Sequence, residues 1–133
     1  MLRIKSKIKR SKICGLGLFA DQFVPKGTIT WEYDENFDSA FGEKQLDMLP
    51  KVDKNYILMY AYFDKNLNKF VLCSDNQKHI NHSKDKKKRN INSTITKDVA
   101  ARDIKKGEEL LCDYDQFDPS YFKRMGIKRK DLK

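Results

Sequence analysis

The sequence predicts a mostly β fold with minor helices, of the β-rich α+β class. Short runs of β-branched and aromatic residues alternate with turn signals, as expected for many short strands. Long periodic segments are scarce, so extended helices are not expected. The chain has 133 residues and no Pro/Gly/Ser-rich linker or charge-only block that would divide it, and this length suits one core. We therefore interpret residues 1–133 as a single domain.

Strand and turn signals can be placed in order along the chain. The clearest strand candidates cover residues 28–31, 70–72, 94–95 and 110–111. Turn residues between segments that can pair as strands occur at 25–27, 64–68 and 105–107. Proline and glycine supply the backbone angles that tight turns need. The order predicts several small antiparallel pairings.

Two short helices complete the expected elements. Asp53 is a candidate N-cap for a helix whose apolar residues pack into the core. Asp118 and Pro119 predict the cap and first position of a closing helix at about 118–126. A basic tail at 127–133 follows that helix. The apolar face of the first helix is formed by Tyr56, Ile57, Met59, Tyr60 and Phe63.

Composition limits the class of protein. Hydrophobic residues make up 39% of the chain and charged residues 35%, which is enough apolar material for a core beneath a solvated surface. No apolar run approaches the roughly 18 residues of a membrane span, and the first ten residues lack the apolar segment of a secretory signal. We expect a soluble intracellular protein that does not enter membranes.

Cysteine and histidine usage does not suggest a metal site. Cys14, Cys73 and Cys112 lie far apart without CxxC spacing, so reduced thiols are the better interpretation. The two histidines, His79 and His82, lack an HExxH pattern or a cysteine partner. We expect no bound metal.

The formal net charge of +9 raises the question of nucleic-acid binding. Clustered basic residues gain binding free energy by releasing counterions from phosphates. The basic residues concentrate at the start, at 84–89 and at the end, and no regular aromatic interleaving accompanies them. Such runs are more often solvated surface, so nucleic acid is a secondary candidate partner.

Three segments carry the polar chemistry. In the GLGLFA segment at 15–20, glycines allow close backbone approach to a ligand, although in isolation a plain tight turn is the favoured interpretation. The segment at 81–83, Asn-His-Ser, groups hydrogen-bonding side chains suited to a polar heterocycle. The segment at 103–114 predicts a turn and an apolar strand that ends in Tyr114 beside Asp113, where a buried core tyrosine is the alternative.

Taken together and in this order, these motifs resemble the SET-domain protein lysine methyltransferases. The resemblance rests on GLGLFA, PKGT, WEY, INHS and ARDIKKGEELLCDY, and extends over about 12–117. It implies a fold of small twisted sheets in which the INHS and C-terminal segments cross as a pseudoknot, an exceptional topology. It also implies S-adenosylmethionine as cofactor and transfer of methyl groups to a lysine ε-amine of a protein substrate.

The resemblance assigns roles to individual residues of this chain. Tyr114 matches the catalytic tyrosine, and Tyr33 matches a tyrosine of the lysine channel. Cys112 stands where side-chain size influences how many methyl groups fit, and a small cysteine suggests that more than one is accepted. The residues expected at the cofactor are Gly15, Leu16, Gly17, Asn81, His82 and Phe117.

Other features of the chain depart from the family pattern or bear on its partners. A basic stretch at 84–89 replaces the usual short turn, so that either Asn90 or Asn92 stands in for the family's asparagine. No cysteine cluster follows Tyr114, hence no zinc-bound post-SET segment is expected. Carboxylates at 34, 35, 38, 113, 115 and 118 suggest an acidic channel mouth.

The substrate class stays broad at this point. A histone tail or another basic protein is the expected partner, recognised by the domain alone, as a homodimer, or through a separate protein. The rival interpretation is a non-catalytic SET-like module that holds nucleosomes or nucleic acid through its basic surface. A third is a small nucleic-acid-binding protein without a cofactor, which would show steep salt dependence.

Overall fold

The computed structural model describes residues 1–133 and contains four small sheets of two or three strands. The strands in chain order are β1 (Ser6–Arg10), β2 (Leu16–Ala20), β3 (Ile29–Glu32), β4 (Ser39–Phe41), β5 (Tyr62–Asp64), β6 (Lys69–Leu72), β7 (Asn81–His82), β8 (Ile91–Ser93), β9 (Lys97–Ala100) and β10 (Leu111–Cys112). The helices are α1 (Glu43–Asp47), α2 (Lys51–Tyr60) and α3 (Tyr121–Arg124), with 3-10 turns at Asn76–His79, Tyr114–Gln116 and Arg129–Asp131. The predicted β-rich class with minor helices is confirmed.

The sheets are mostly antiparallel, and one pair is not. β1 pairs with β2, β3–β9–β8 form a second sheet, and β4–β6–β5 form a third. β7 and β10 run parallel to each other although about 30 residues separate them in sequence. This pairing brings the INHS and LLCDY segments side by side, as expected for the crossing of a SET fold.

Three apolar clusters hold the sheets together. The largest is centred on Leu18, Ile104 and Leu110 and joins the N-terminal hairpin to the segment before β10. A second cluster contains Trp31 and Tyr62. The third packs α1 and α2 on β6. The second cluster contains residues of both β3 and β5 and therefore joins these two strands.

Most strand predictions are confirmed, and one is wrong. β3, β6 and β10 contain most of the residues expected at 28–31, 70–72 and 110–111. Residues 94–95 instead form the turn between β8 and β9. There the Thr94 hydroxyl accepts the backbone N–H of Lys97 at 3.1 Å, a threonine turn that outweighs β-propensity. The turns at 25–27 and 105–107 are present, with positive φ at Gly27 and Gly107.

The helix caps differ from the predicted ones. α2 follows Pro50, and Asp53 lies in its first turn rather than at the cap, where a carboxylate still favours the helix dipole. α3 follows Ser120, not Asp118. The Asp118 carboxylate accepts the Phe63 N–H at 2.9 Å and pairs with Arg124 at 3.1 Å. It therefore ties the C-terminal helix to β5.

The helices also bear on the expectation about membranes. None of them combines the length and the hydropathy that crossing a lipid bilayer would require.

Candidate active site

The site is organised by the parallel crossing of β7 and β10. Asn81 stands opposite Leu111, and His82 opposite Cys112. Asn90 locks the crossing from the side, because its amide donates to Glu109 O at 2.8 Å and accepts from Leu111 N at 2.9 Å. Of the two asparagines expected to replace the family's residue, the buried Asn90 makes these contacts, whereas Asn92 is exposed.

Tyr114 follows this crossing and is held by β7 at both ends. Its hydroxyl donates to Ile80 O at 2.6 Å, and its backbone N–H donates to His82 Nδ1 at 3.2 Å. Phe122 stacks on its ring with centroids 5.5 Å apart. Burial raises the pKa of the Tyr114 hydroxyl well above its usual value. The hydroxyl is therefore protonated at neutral pH, and its oxygen lone pairs stay available as acceptors.

His82 positions Tyr114 rather than acting as a base. Its Nδ1 accepts the Tyr114 N–H, which assigns the neutral tautomer with the proton on Nε2. Burial lowers the pKa of His82, and this outweighs the opposite effect of Asp113 at 3.7 Å. A neutral imidazole at pH 7 fits a fixed acceptor.

A pocket opens beside Tyr114. Its aromatic walls include Tyr62, Phe117 and Tyr121. The Tyr62 and Phe117 rings meet edge to face with centroids 5.6 Å apart. Trp31 and Ile80 also line it, and its buried polar residues are Gln77, Asp98 and Asp118. Most of its lining residues are hydrophobic.

A second set of polar groups surrounds the Asn81 amide, outside the lining of the pocket, and is called the Asn81 compartment below. The Asn81 amide nitrogen donates to Cys14 O at 3.1 Å, Leu16 O at 3.0 Å and Glu109 Oε1 at 3.1 Å. A Cβ on Gly17 would lie 2.2 Å from the same Glu109 oxygen, so the Glu109 side chain would have to move if this residue were not glycine. An amide has only two hydrogens for these three acceptors, so acceptor capacity is left for a ligand amine. The chemistry fits the amino-acid end of S-adenosylmethionine.

The carboxylates around Tyr114 are neutralised by arginines. Asp113 pairs with Arg89, Asp115 with Arg129 at 2.7 Å, and Asp118 with Arg124 at 3.1 Å. Asp38 is buried and accepts backbone N–H groups. The acidic channel mouth expected from the sequence is therefore wrong around Tyr114, because each carboxylate there has a cationic partner.

The remaining predicted residues lie close to the pocket but not all in its wall. Phe117, expected over the adenine, contributes to the aromatic wall instead of the Asn81 compartment. Tyr33 packs against the cluster of Trp31 and Tyr62, and the Cys112 side chain, which belongs to β10, is fully buried. Neither is among the pocket-lining residues. Burial raises the pKa values of both side chains.

Several functional candidates carry no motif in the sequence. Tyr62, Asp98 and Gln77 were not predicted, whereas Tyr121 lies in the predicted closing helix, which was expected to supply a wall of the pocket in place of a post-SET segment. The one available signal was Asp98, a charged residue inside the strand at 97–100, because carboxylates are rarely buried unless they are paired. No group of three or more His, Cys, Asp or Glu is placed to hold a metal ion, and the three cysteines are free thiols.

Solved structures similar to this chain include subunits of Polycomb Repressive Complex 2. The Chaetomium thermophilum complex bound to GSK126 is 23% identical with a TM-score of 0.66, covering 92% of this chain and 17% of that chain. The autoinhibited form named ctPRC2, bound to S-adenosylmethionine, is 23% identical with a TM-score of 0.64, covering 97% and 17%. A form in complex with H3K27me3 is 22% identical with a TM-score of 0.61, covering 84% and 14%.

These likenesses establish the fold alone. The chain spans less than a fifth of the length of those subunits. No curated protein matches the chain. The sequence profile of the SET domain matches residues 15–115. That range includes the GLG loop, both crossing strands and Tyr114, so the chain belongs to the SET domain family.

Proposed function

We propose that this chain is a protein lysine methyltransferase that uses S-adenosylmethionine. One observation carries the proposal: consecutive residues Ile80 and Asn81 face different compartments. Ile80 lines the aromatic pocket and accepts the Tyr114 hydroxyl, whereas the Asn81 side chain holds the acceptor-rich loop. Tyr114 contacts Ile80 of the aromatic pocket and lies next to the loop proposed to hold the cofactor.

The residues proposed to hold the cofactor are those of the Asn81 compartment. Gly15, Leu16 and Gly17 offer backbone groups, and Asn81 and His82 lie at the crossing. Bound S-adenosylmethionine would supply an electrophilic methyl group. Tyr33 in the lysine channel, Phe117 over the adenine and Cys112 as the determinant of methyl number also stay proposals.

The chain's own contribution is alignment and solvation. Holding an amine in line with its reaction partner removes much of the entropic barrier. A narrow aromatic pocket disfavours a hydrated ammonium and so favours the neutral amine. The Tyr114 oxygen and the Ile80 carbonyl can accept weak C–H hydrogen bonds from a polarised methyl, which orients it.

The proposed substrate is a lysine of another protein, and histones are the first to test. Support comes from the family and from the likeness to a complex solved with H3K27me3. Charge gives little help, because the chain carries +9 overall and the carboxylates near Tyr114 are paired. Recognition must therefore come from shape and apolar contact, with the domain alone or with a partner protein.

The test is methyl transfer from labelled S-adenosylmethionine to core histones, ribosomal proteins and lysine-rich peptides. Wild type and Tyr114→Phe are compared, and cofactor binding of both is measured by calorimetry. Label in protein that disappears in a variant with intact cofactor binding supports the proposal. Cofactor binding without label across the whole panel contradicts it and favours a non-catalytic module.

The module alternative is supported by the basic segment before β8. Its lysines Lys84, Lys86, Lys87 and Lys88 are exposed, and Asp85 orders the turn by accepting the Lys87 N–H at 2.9 Å. An ordered row of lysines can contact phosphates. Binding to DNA or nucleosomes should then fall steeply with salt, by about one power of the salt concentration per phosphate contacted, and should weaken when these lysines are replaced by glutamine.

A further inference from the structure

Part of the aromatic pocket is lined by a row of residues that runs across the β3–β9–β8 sheet. Trp31 of β3 stands opposite Asp98 of β9, and Asp98 stands opposite Ser93 of β8. Directly opposed residues in an antiparallel sheet project on the same face. All three are buried, with exposures of 3%, 4% and 8%. The row therefore places a carboxylate between an indole and a hydroxyl beneath the apolar walls.

Hydrogen bonds within the row are incomplete. Asp98 Oδ2 accepts the Gln77 side-chain amide at 2.6 Å. The Trp31 Nε1–H group is buried without a partner, and the buried Ser93 hydroxyl faces the Asp98 carboxylate across the sheet. An unpaired buried polar group is unfavourable and uncommon, and this indole stands beside the same carboxylate. Trp31, Gln77 and Asp98 all line the pocket, so a polar guest there would meet these groups.

The charge of the guest follows from Asp98. No lysine, arginine or histidine forms an ion pair with it. Burial raises the pKa of Asp98 to about 6, against the lowering effect of the Ser93 and Gln77 side chains. It is still ionised at neutral pH. A buried carboxylate without a cation is strongly unfavourable, and a cationic guest would relieve that cost.

We propose that Asp98 holds the substrate ammonium in the pocket and accepts a proton from it. This inference rests on the proposed lysine methyltransferase function. One N–H bond breaks, its electron pair stays on the nitrogen, and the proton forms an O–H bond on the Asp98 carboxylate. Asp98 releases that proton to water once the product has left the pocket. The amine then has the lone pair that methyl transfer requires.

Neighbouring titratable groups do not substitute for Asp98. Burial raises the pKa values of the Cys73 and Cys112 thiols and of the Tyr62, Tyr114 and Tyr121 hydroxyls, which keeps them neutral. The His79 ring packs against Tyr60 and the His82 ring against Tyr114, and burial lowers the pKa values of both histidines. Lys78 and Asp118, which is paired with Arg124, also line the pocket. The variant Asp98→Asn separates Asp98 from these groups.

Binding of n-butylammonium tests the inference without turnover. Trp31 is the single tryptophan of the chain and lines the pocket, so its fluorescence reports occupancy. At pH 8 wild type should bind n-butylammonium about tenfold or more tightly than the uncharged n-butanol, corresponding to one charge pair. That preference should decline as the pH falls through about 6, because protonation removes the carboxylate charge. In Asp98→Asn the preference and its pH dependence should both disappear.

Asp64→Asn is the matched control. Asp64 is equally buried, at 3% exposure, and accepts the backbone N–H groups of Asn66 and Leu67 outside the pocket. It should keep the wild-type preference for n-butylammonium. Equal binding of n-butylammonium to wild type and Asp98→Asn would overturn the inference. Since the wild-type pH titration needs no variant, it decides the question even if Asp98→Asn folds poorly.

Turnover gives a second and separable readout. Wild-type kcat/KM should level off above about pH 7 if Asp98 collects the proton. In Asp98→Asn it should rise about tenfold per pH unit toward the lysine pKa near 10.4, because only the neutral amine then reacts. Identical pH profiles would contradict the role of Asp98. Asp98-dependent n-butylammonium binding without methyl transfer would instead contradict the proposed enzyme and leave the amine site supported.

Discussion

Replacing Asn90 by alanine should destabilise the crossing of β7 and β10 more than any comparable change nearby. Asn90 is 1% exposed, and its side chain makes two hydrogen bonds, to Glu109 O at 2.8 Å and from Leu111 N at 2.9 Å. The Asn90 backbone N–H donates to Leu111 O, and the Asn90 carbonyl accepts from Ala101 N. Neither of these hydrogen bonds depends on the side chain. The substitution therefore removes the side-chain clamp alone.

The expected cost is about 3 kcal/mol. Each lost hydrogen bond contributes about 1 kcal/mol net, and a buried donor left unpaired, here Leu111 N–H, adds about 1 kcal/mol or more. For a chain of this length that lowers Tm by about 10 °C. Equilibrium unfolding in urea, followed by circular dichroism, measures the difference directly.

Asn92→Ala is the control, because Asn92 lies only two residues further along the chain, within β8, and is exposed. It should change the free energy of unfolding by no more than about 0.5 kcal/mol. Asn90→Asp should keep the acceptor for Leu111 N but lose the donor to Glu109 O. Its deficit relative to wild type should shrink in acid, where a protonated carboxyl can donate again. Equal, small effects of Asn90→Ala and Asn92→Ala would refute the clamp.

Three further changes test the site. Tyr114→Phe removes the hydroxyl that contacts Ile80 O and should lower methyl transfer about a hundredfold or more, while calorimetry shows unchanged cofactor affinity. Asn81→Ala removes the amide that holds the Cys14 and Leu16 carbonyls in place. Because the loop then loses its fixed position, the variant should bind S-adenosylmethionine about tenfold or more weakly in the same assay. Since folding raises the pKa of Asp98 to about 6, its ionisation makes stability fall as pH rises from about 4 to 6. Asp98→Asn should therefore be roughly 2–3 kcal/mol more stable than wild type at pH 8 but not at pH 4, measured by urea unfolding.

Residues in ordered motifs were predictable, because their chemistry is carried by local sequence. The GLG loop, the Asn-His pair and Tyr114 could each be placed from resemblance, and the structure brings them together at one crossing. The strand at 94–95 failed because the Thr94 hydroxyl competes for the backbone. Propensity describes a residue alone, and a side-chain hydrogen bond over three residues can outweigh it.

Pairing across the chain was not predictable from composition. The carboxylates near Tyr114 suggested an acidic mouth, yet Arg89, Arg124 and Arg129 neutralise them. Those arginines lie in the basic segment and the C-terminal region, and sequence alone treats such positions as solvated surface. The choice between Asn90 and Asn92 was likewise undecided, because strand alternation places residues two apart on the same face and cannot distinguish them. Asn90 lies just before β8 and is buried beside Leu111, whereas Asn92 lies within β8 and is exposed.

The same alternation explains why the pocket contains a carboxylate that no motif marks. In β9, Asp98 faces inward, whereas its neighbours Lys97 and Val99 are exposed and partly exposed, so an apolar residue at 98 would suit the core better. A chain selected for stability alone would remove that buried charge, since an apolar replacement avoids its desolvation. Retaining Asp98 makes sense where a cationic guest pairs with its carboxylate. The stability gained by Asp98→Asn and the ammonium preference lost by it should therefore appear in one variant, because both follow from the same unpaired carboxylate.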